Sequence, residues 1–133
     1  MRIHPVALLV SLALLSLKAS SATDVIVICN PSVTLKPEEV RDVYFGDKAF
    51  AGSVKLAPAD NTAMQAAFLE KVMRLDAKKY TGVWIKKSFR DGSTPPPVRA
   101  NDAETLSYVK QTPGACGYVG SPPGDGVVVV AKF

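Results

Sequence analysis

Apolar positions along this chain fall into short runs and helical stripes separated by turn residues. Val25-Ile26-Val27-Ile28-Cys29 is a continuous, β-branched run stopped by Asn30-Pro31-Ser32, the pattern of a strand buried on both faces. Residues 37–45 predict a helix. Pro37 suits its first position, Glu38 and Glu39 favour its positive end, and Leu35 and Val40 can form a hydrophobic staple. Val40, Val43 and Tyr44 share one face, and Gly46 is the stop. Val54-Lys55-Leu56-Ala57 predicts a second strand, closed by Pro58.

Asp60-Asn61-Thr62 supplies candidate caps for a second helix whose inner stripe is Met64, Phe68 and Val72, running to about Met73. A third helix starts at the cap Asp76, buries Tyr80, Val83 and Trp84, and ends near Ser88. The stretch from Asp91 to Pro97 is a proline-stiffened loop. Asn101 and Glu104 stand in the relation of N-cap and third residue of a fourth helix, which reaches about Lys110 and stops at Pro113-Gly114. Cys116 to Val119 and Val127 to Val130 read as strands, the last one central or along an edge. Alternation of strands and helices predicts the α/β class, with a small, mostly parallel sheet flanked by about four helices. In such a sheet the ligand crevice lies beyond the carboxyl ends of the strands, which would bring Asn30–Thr34, Pro58–Thr62 and Gly120–Asp125 together.

The first 22 residues stand apart. Arg2, the apolar run Val6 to Leu17 and the small residues Ser20-Ser21-Ala22 read as a signal peptide cleaved before Thr23, leaving residues 23–133 as a single domain. Cleavage would lower the net charge from +4 to +2 by removing Arg2 and Lys18, and would also remove His4, the only histidine. Histidine-dependent nucleophilic catalysis and histidine-rich metal sites are then excluded, and no other residue pattern suggests an enzyme, a metal or a cofactor. No later segment predicts a membrane span, and scattered lysines on a weakly charged chain give no argument for nucleic acid. Export also places the two cysteines, Cys29 and Cys116, in an oxidising compartment. They can form one disulfide or remain as small buried neighbours.

The order of motifs is the chain's most specific feature. A first strand ending in Asn-Pro precedes the helix Glu38-Glu39-Val40-Arg41-Asp42-Val43-Tyr44-Phe45-Gly46, and Pro58-x-Asp60 follows a strand. A Phe68-Leu69-x-x-Val72 helix, a Tyr80-x-x-x-Trp84 helix and a proline loop lead to Thr112-Pro113-Gly114-Ala115-Cys116-Gly117-Tyr118-Val119. Over about Val25 to Val119 this resembles the short phosphate-binding-protein-like family, related to the periplasmic substrate-binding component of phosphate ABC transporters. The resemblance implies a single lobe of a periplasmic-binding-protein-like fold, a periplasmic location and an oxyanion ligand. Where full-length relatives carry Arg-x-Asp-x-Ser-Gly-Thr around the anion, this chain has Pro58-Ala59-Asp60-Asn61-Thr62-Ala63-Met64. Asp60 matches the aspartate and Thr62 keeps a hydroxyl, while Pro58 removes the arginine's bidentate grip.

Candidate oxyanion-binding residues are therefore Asp60, Asn61 and Thr62 at a helix start, Asn30 and Ser32 after the first strand, and Ser93 and Thr94 in the proline loop, flanked by Arg90 and Arg99. Capping and turn chemistry would use the same residues. Tyr118 and Trp84 read as packed. Two functions follow. The chain binds phosphate or a related oxyanion for ABC-type transport, or it is a ligand-independent interaction module that docks on an envelope transporter, receptor or sensor. A homodimer would rebuild a two-walled cleft.

Overall fold

The structure, a computed structural model, describes residues 24–133. The leader reading of Met1 to Ala22 lies outside the described residues. The β-branched run forms strand β1 (Ile26–Cys29), every residue of which is buried. A 3₁₀ turn at Pro37–Glu39 leads into α1 (Val40–Tyr44). Then come the paired short strands β2 (Phe50–Ala51) and β3 (Val54–Lys55), followed by β4 (Ala57–Pro58) and β5 (Asp60–Asn61). Helix α2 (Gln65–Phe68) continues as a π turn over Leu69–Met73. The longest helix among the described residues, α3 (Ala77–Asp91), is capped by the Asp76 carboxylate, which accepts from the Lys79 N–H. Strand β6 (Val98–Arg99), helix α4 (Asp102–Gln111) and strands β7 (Ala115–Val119) and β8 (Val128–Lys132) complete the chain. The α4 cap is the one expected, with Asn101 Oδ1 accepting from the Glu104 N–H.

The fold is mixed α/β, and the expectation of a mostly parallel sheet is corrected. The main sheet has the order β4-β7-β1-β8, and β1 runs antiparallel to both of its neighbours. Among the described residues, only β4 with β7, and β5 with β6 in a separate two-stranded sheet, are parallel. Burial on both faces reports that helices cover both sides of a strand. It says nothing of the direction of the strands beside it. The predicted strand at residues 54–57 is also divided: β3 pairs with β2, while β4 joins the main sheet. The last strand begins one residue later than expected, and it lies at the sheet edge. Helix α3 runs three residues past Ser88 and ends at Gly92 in the left-handed region.

Alternation along β1 divides the core. Val25, Val27 and Cys29 join Val40, Tyr44, Phe68, Tyr80, Trp84 and Tyr118 on one face. Ile26 and Ile28 meet Val109, Ala115 and Val119 under α4 on the other. Each large apolar side chain so covered contributes about 1.5–3 kcal/mol relative to its exposed state. Helix α4 sits close on β7 because Gly117 lacks a side chain: a Cβ there would meet the Thr105 methyl at 2.6 Å. Gly114, at φ +83°, turns α4 into β7 where a Cβ would strike the Lys55 carbonyl oxygen at 2.1 Å. Cys29 and Cys116 are directly opposed across β1 and β7 and are joined by a disulfide.

Candidate functional site

The carboxyl ends of β4 and β7 lie on one side of the sheet, and the chain leaving β4 places Asp60 and Asn61 there. Both are buried. Asp60 Oδ1 accepts from the Tyr118 hydroxyl at 2.7 Å and Oδ2 from the Tyr80 hydroxyl at 2.9 Å. Tyr118 is held by stacking on Phe68, with ring centroids 3.9 Å apart, and Tyr44 packs edge-on against Phe68. Burial pushes the Asp60 carboxyl above the usual carboxylate range, and the two tyrosine hydrogen bonds pull it partly back. Burial and the neighbouring carboxylate in turn raise both tyrosines.

Asn61 is fully committed. Its Nδ2 donates to Asp102 Oδ1 at 2.8 Å and to the Tyr118 carbonyl at 2.9 Å, and its Oδ1 accepts from the Ala63 N–H. Asp102 Oδ2 also accepts from the Gly120 N–H, so one carboxylate in the first turn of α4 ties β5 to the end of β7. The backbone donors are used as well. The Asp60 N–H donates to Pro97 O, Thr62 N–H to Arg99 O and Met64 N–H to Asn61 O. The expected helix start at residues 60–62 is thereby corrected. Asp60 and Asn61 form strand β5 against β6, and Met64 occupies the N-cap position of α2 without a side-chain cap bond. The β5–β6 pairing takes the Asp60 and Thr62 N–H groups, and Asn61 takes those of Ala63 and Met64, which a helix start would have left open.

Asn30 and Ser32 are not brought to this place. Because β1 is antiparallel to β7, its carboxyl end lies at the amino end of β7, across the sheet from Asp60. There Asn30 Nδ2 donates to the Val109 and Lys110 carbonyls at the end of α4, and Asn30 Oδ1 accepts from the Ser32 N–H. Ser32 Oγ accepts from the Gly114 N–H. Both residues hold a corner of the fold.

Ser93 and Thr94 line a second crevice, of about 390 Å³, on the Pro58 side of the Pro95–Pro96 rib. Lys48 and Lys55 also line it. Lys48 is paired with Glu39 at 2.9 Å, and Ser93 donates both its N–H and its hydroxyl to Asp91 Oδ1. These hydrogen bonds hold the Asp91 carboxyl below its ordinary range. Of the flanking arginines, Arg90 pairs with its own neighbour Asp91, and the Arg99 guanidinium lies 4.5 Å over the Tyr108 ring.

On the other side of the rib, a cleft of about 340 Å³ has Asp60 and Tyr80 at its floor and Ile85, Phe89, Pro95 and Val98 on its walls. Sequence reading missed Tyr80 and Asp102 as site residues. The helical stripe through Tyr80 and Trp84 was visible, but nothing marked the tyrosine's hydroxyl as a partner of Asp60. Among the described residues, no group of three or more His, Cys, Asp or Glu is arranged to hold a metal ion, and no helix is long and apolar enough to cross a membrane. No protein-family model and no curated protein matches the sequence.

Proposed function

We propose that this chain is an exported, non-catalytic module of the solute-binding type that docks on an envelope transporter, receptor or sensor without needing an oxyanion. One observation carries this reading: the cradle that would hold the anion is filled by the chain's own groups. The N–H groups of Asp60, Thr62, Ala63 and Met64 all have internal acceptors, and both oxygens of Asp60 accept tyrosine hydroxyls. An anion at that place would have to displace bonds already made. It would also approach a carboxylate without the arginine that the related motif supplies, since Pro58 stands there.

A second reading keeps the oxyanion, for ABC-type transport, but moves it across the rib. It is supported by Lys48, Lys55, Ser93 and Thr94 lining one crevice, two ammonium groups with two hydroxyl-bearing residues. That crevice is open to solvent, so each contact is screened and affinity would be low.

Calorimetric titration of the purified protein with phosphate and sulfate separates the two. The docking reading expects no saturable heat up to millimolar phosphate. Saturable binding that Lys55→Ala and Thr94→Ala weaken, and that Thr62→Ala leaves unchanged, would establish the second reading instead. Saturable binding lost on Thr62→Ala would overturn the first outright, because Thr62 lies in the occupied cradle.

A further inference from the structure

Helix α3 concentrates net positive charge. It holds Lys78, Lys79, Lys86, Lys87 and Arg90 against Asp91 alone, a net of +4, while residues 24–133 together carry 14 cations and 12 anions. The rest of the described chain is therefore slightly acidic. Lys87 is occupied, donating to Asp47 and the Phe45 carbonyl. Lys78, Lys79 and Lys86 make no ion pair among the described residues.

The same helix exposes apolar side chains. Phe89 is 90% exposed and Ile85 52%, and Val98 of β6, on the far wall of the same cleft, is 60% exposed. At about 100° per residue, Lys78, Ile85 and Phe89 fall within an arc of about 40°. Lys79, Lys86 and Arg90 fall in a second arc about 100° around the helix. An apolar ridge thus runs beside a cationic rail along four turns of one surface helix.

We propose that this face of α3 seats the protein on an anionic phospholipid bilayer, with Phe89 and Ile85 entering the headgroup region and Lys78, Lys79, Lys86 and Arg90 meeting lipid phosphates. Charge complementarity selects the occupant: the net +4 of α3 borders the exposed apolar ridge, while the rest of the described chain is slightly acidic and offers a negative plane no comparable attraction. The form of the ridge distinguishes a bilayer from an acidic protein. Phe89, 90% exposed, stands at the rim of an open cleft rather than inside a closed socket. A soft interface accepts such a group at any azimuth, whereas a protein partner must offer a matched cavity. The lysine stems can lie along the apolar boundary while their ammonium groups reach the phosphates. This inference is independent of how the crevice is used, because none of these residues makes up the occupied cradle.

The test is co-sedimentation of the purified protein with sucrose-loaded vesicles of phosphatidylcholine alone and of phosphatidylcholine mixed equally with phosphatidylglycerol. Binding is expected to the mixed vesicles only, and it should fall as salt is raised. Phe89→Ser should weaken it about tenfold, and the double change Lys79→Glu with Lys86→Glu at least about tenfold. All three side chains are exposed, so circular dichroism and melting of the variants should match the parent. Absence of binding to the mixed vesicles, equal binding to both lipids, or undiminished binding of both variants overturns the proposal. So does Phe89→Ser abolishing cross-linking to an envelope protein in a chain that ignores both vesicles, which would make the face a protein interface.

Discussion

Asp60 is the residue on which the two functional readings divide. Its carboxyl is raised by burial, so the folded chain holds that proton more tightly than the unfolded chain does. Between the ordinary carboxylate range and the raised value, the folded state carries more protons, and stability falls as pH rises. Asp60→Asn cannot titrate. The melting temperature of the parent relative to this variant should therefore decline as pH rises above the ordinary carboxylate range. A constant difference, or one that grows with pH, would show that the carboxylate is not buried as described. Asn61 is a simpler case. Truncation to alanine leaves the Ala63 N–H, the Tyr118 carbonyl and one Asp102 oxygen short of a partner, and should cost about 2–4 kcal/mol in a urea unfolding experiment. A loss near zero would mean that water replaces the amide at no cost. The sequence marked Asp60 and Asn61 as special because they follow a strand at an expected helix start, and Asp60 also matches the aspartate of the resembling motif. It could not reveal that Tyr80, Tyr118 and Asp102 saturate them, since those partners arrive from α3, β7 and α4, and only the folded chain sets their distances.

At the level of elements, periodicity was a good guide to helices and a poor one to sheet direction. The stripes through Val40 and Tyr44, Phe68 and Val72, and Tyr80 and Trp84 all face one core. The caps Asp76 and Asn101 act where they were placed. Short strands of two residues, such as β2 and β6, have no period to read, and the pairing of β6 with β5 converted an expected helix start into a bridge. That pairing occupies the Asp60 and Thr62 N–H groups, and Asn61 occupies those of Ala63 and Met64, so the N–H groups on which the anion reading rested are taken. The sheet itself is fastened by the Cys29–Cys116 disulfide, which links β1 to β7 across 87 residues of sequence. A loop of that length constrains the unfolded chain strongly, so replacing both cysteines by alanine should cost about 2–5 kcal/mol. Unfolding midpoints of the parent with and without reductant, compared with the double variant, measure this. A parent insensitive to reductant would show that the bridge adds nothing.

For the molecule as a whole, the interior and the surface point in different directions. The crevice side is closed by its own aromatic and carboxylate network, and the opportunity for contact lies outside, along α3 and over the apolar cleft beside it. Motif order resembled that of phosphate-binding proteins, and Asp60 is buried with both oxygens accepting tyrosine hydroxyls. The amide groups at residues 62–64 are where the central claim is most exposed. Two-dimensional amide NMR of the purified protein during a phosphate titration reads them one by one. With their N–H groups bonded to Arg99 O, Asn61 Oδ1 and Asn61 O, the Thr62, Ala63 and Met64 signals should stay in place and exchange slowly with solvent. Saturable shifts of these three signals with phosphate would contradict the account and return the cradle to the anion.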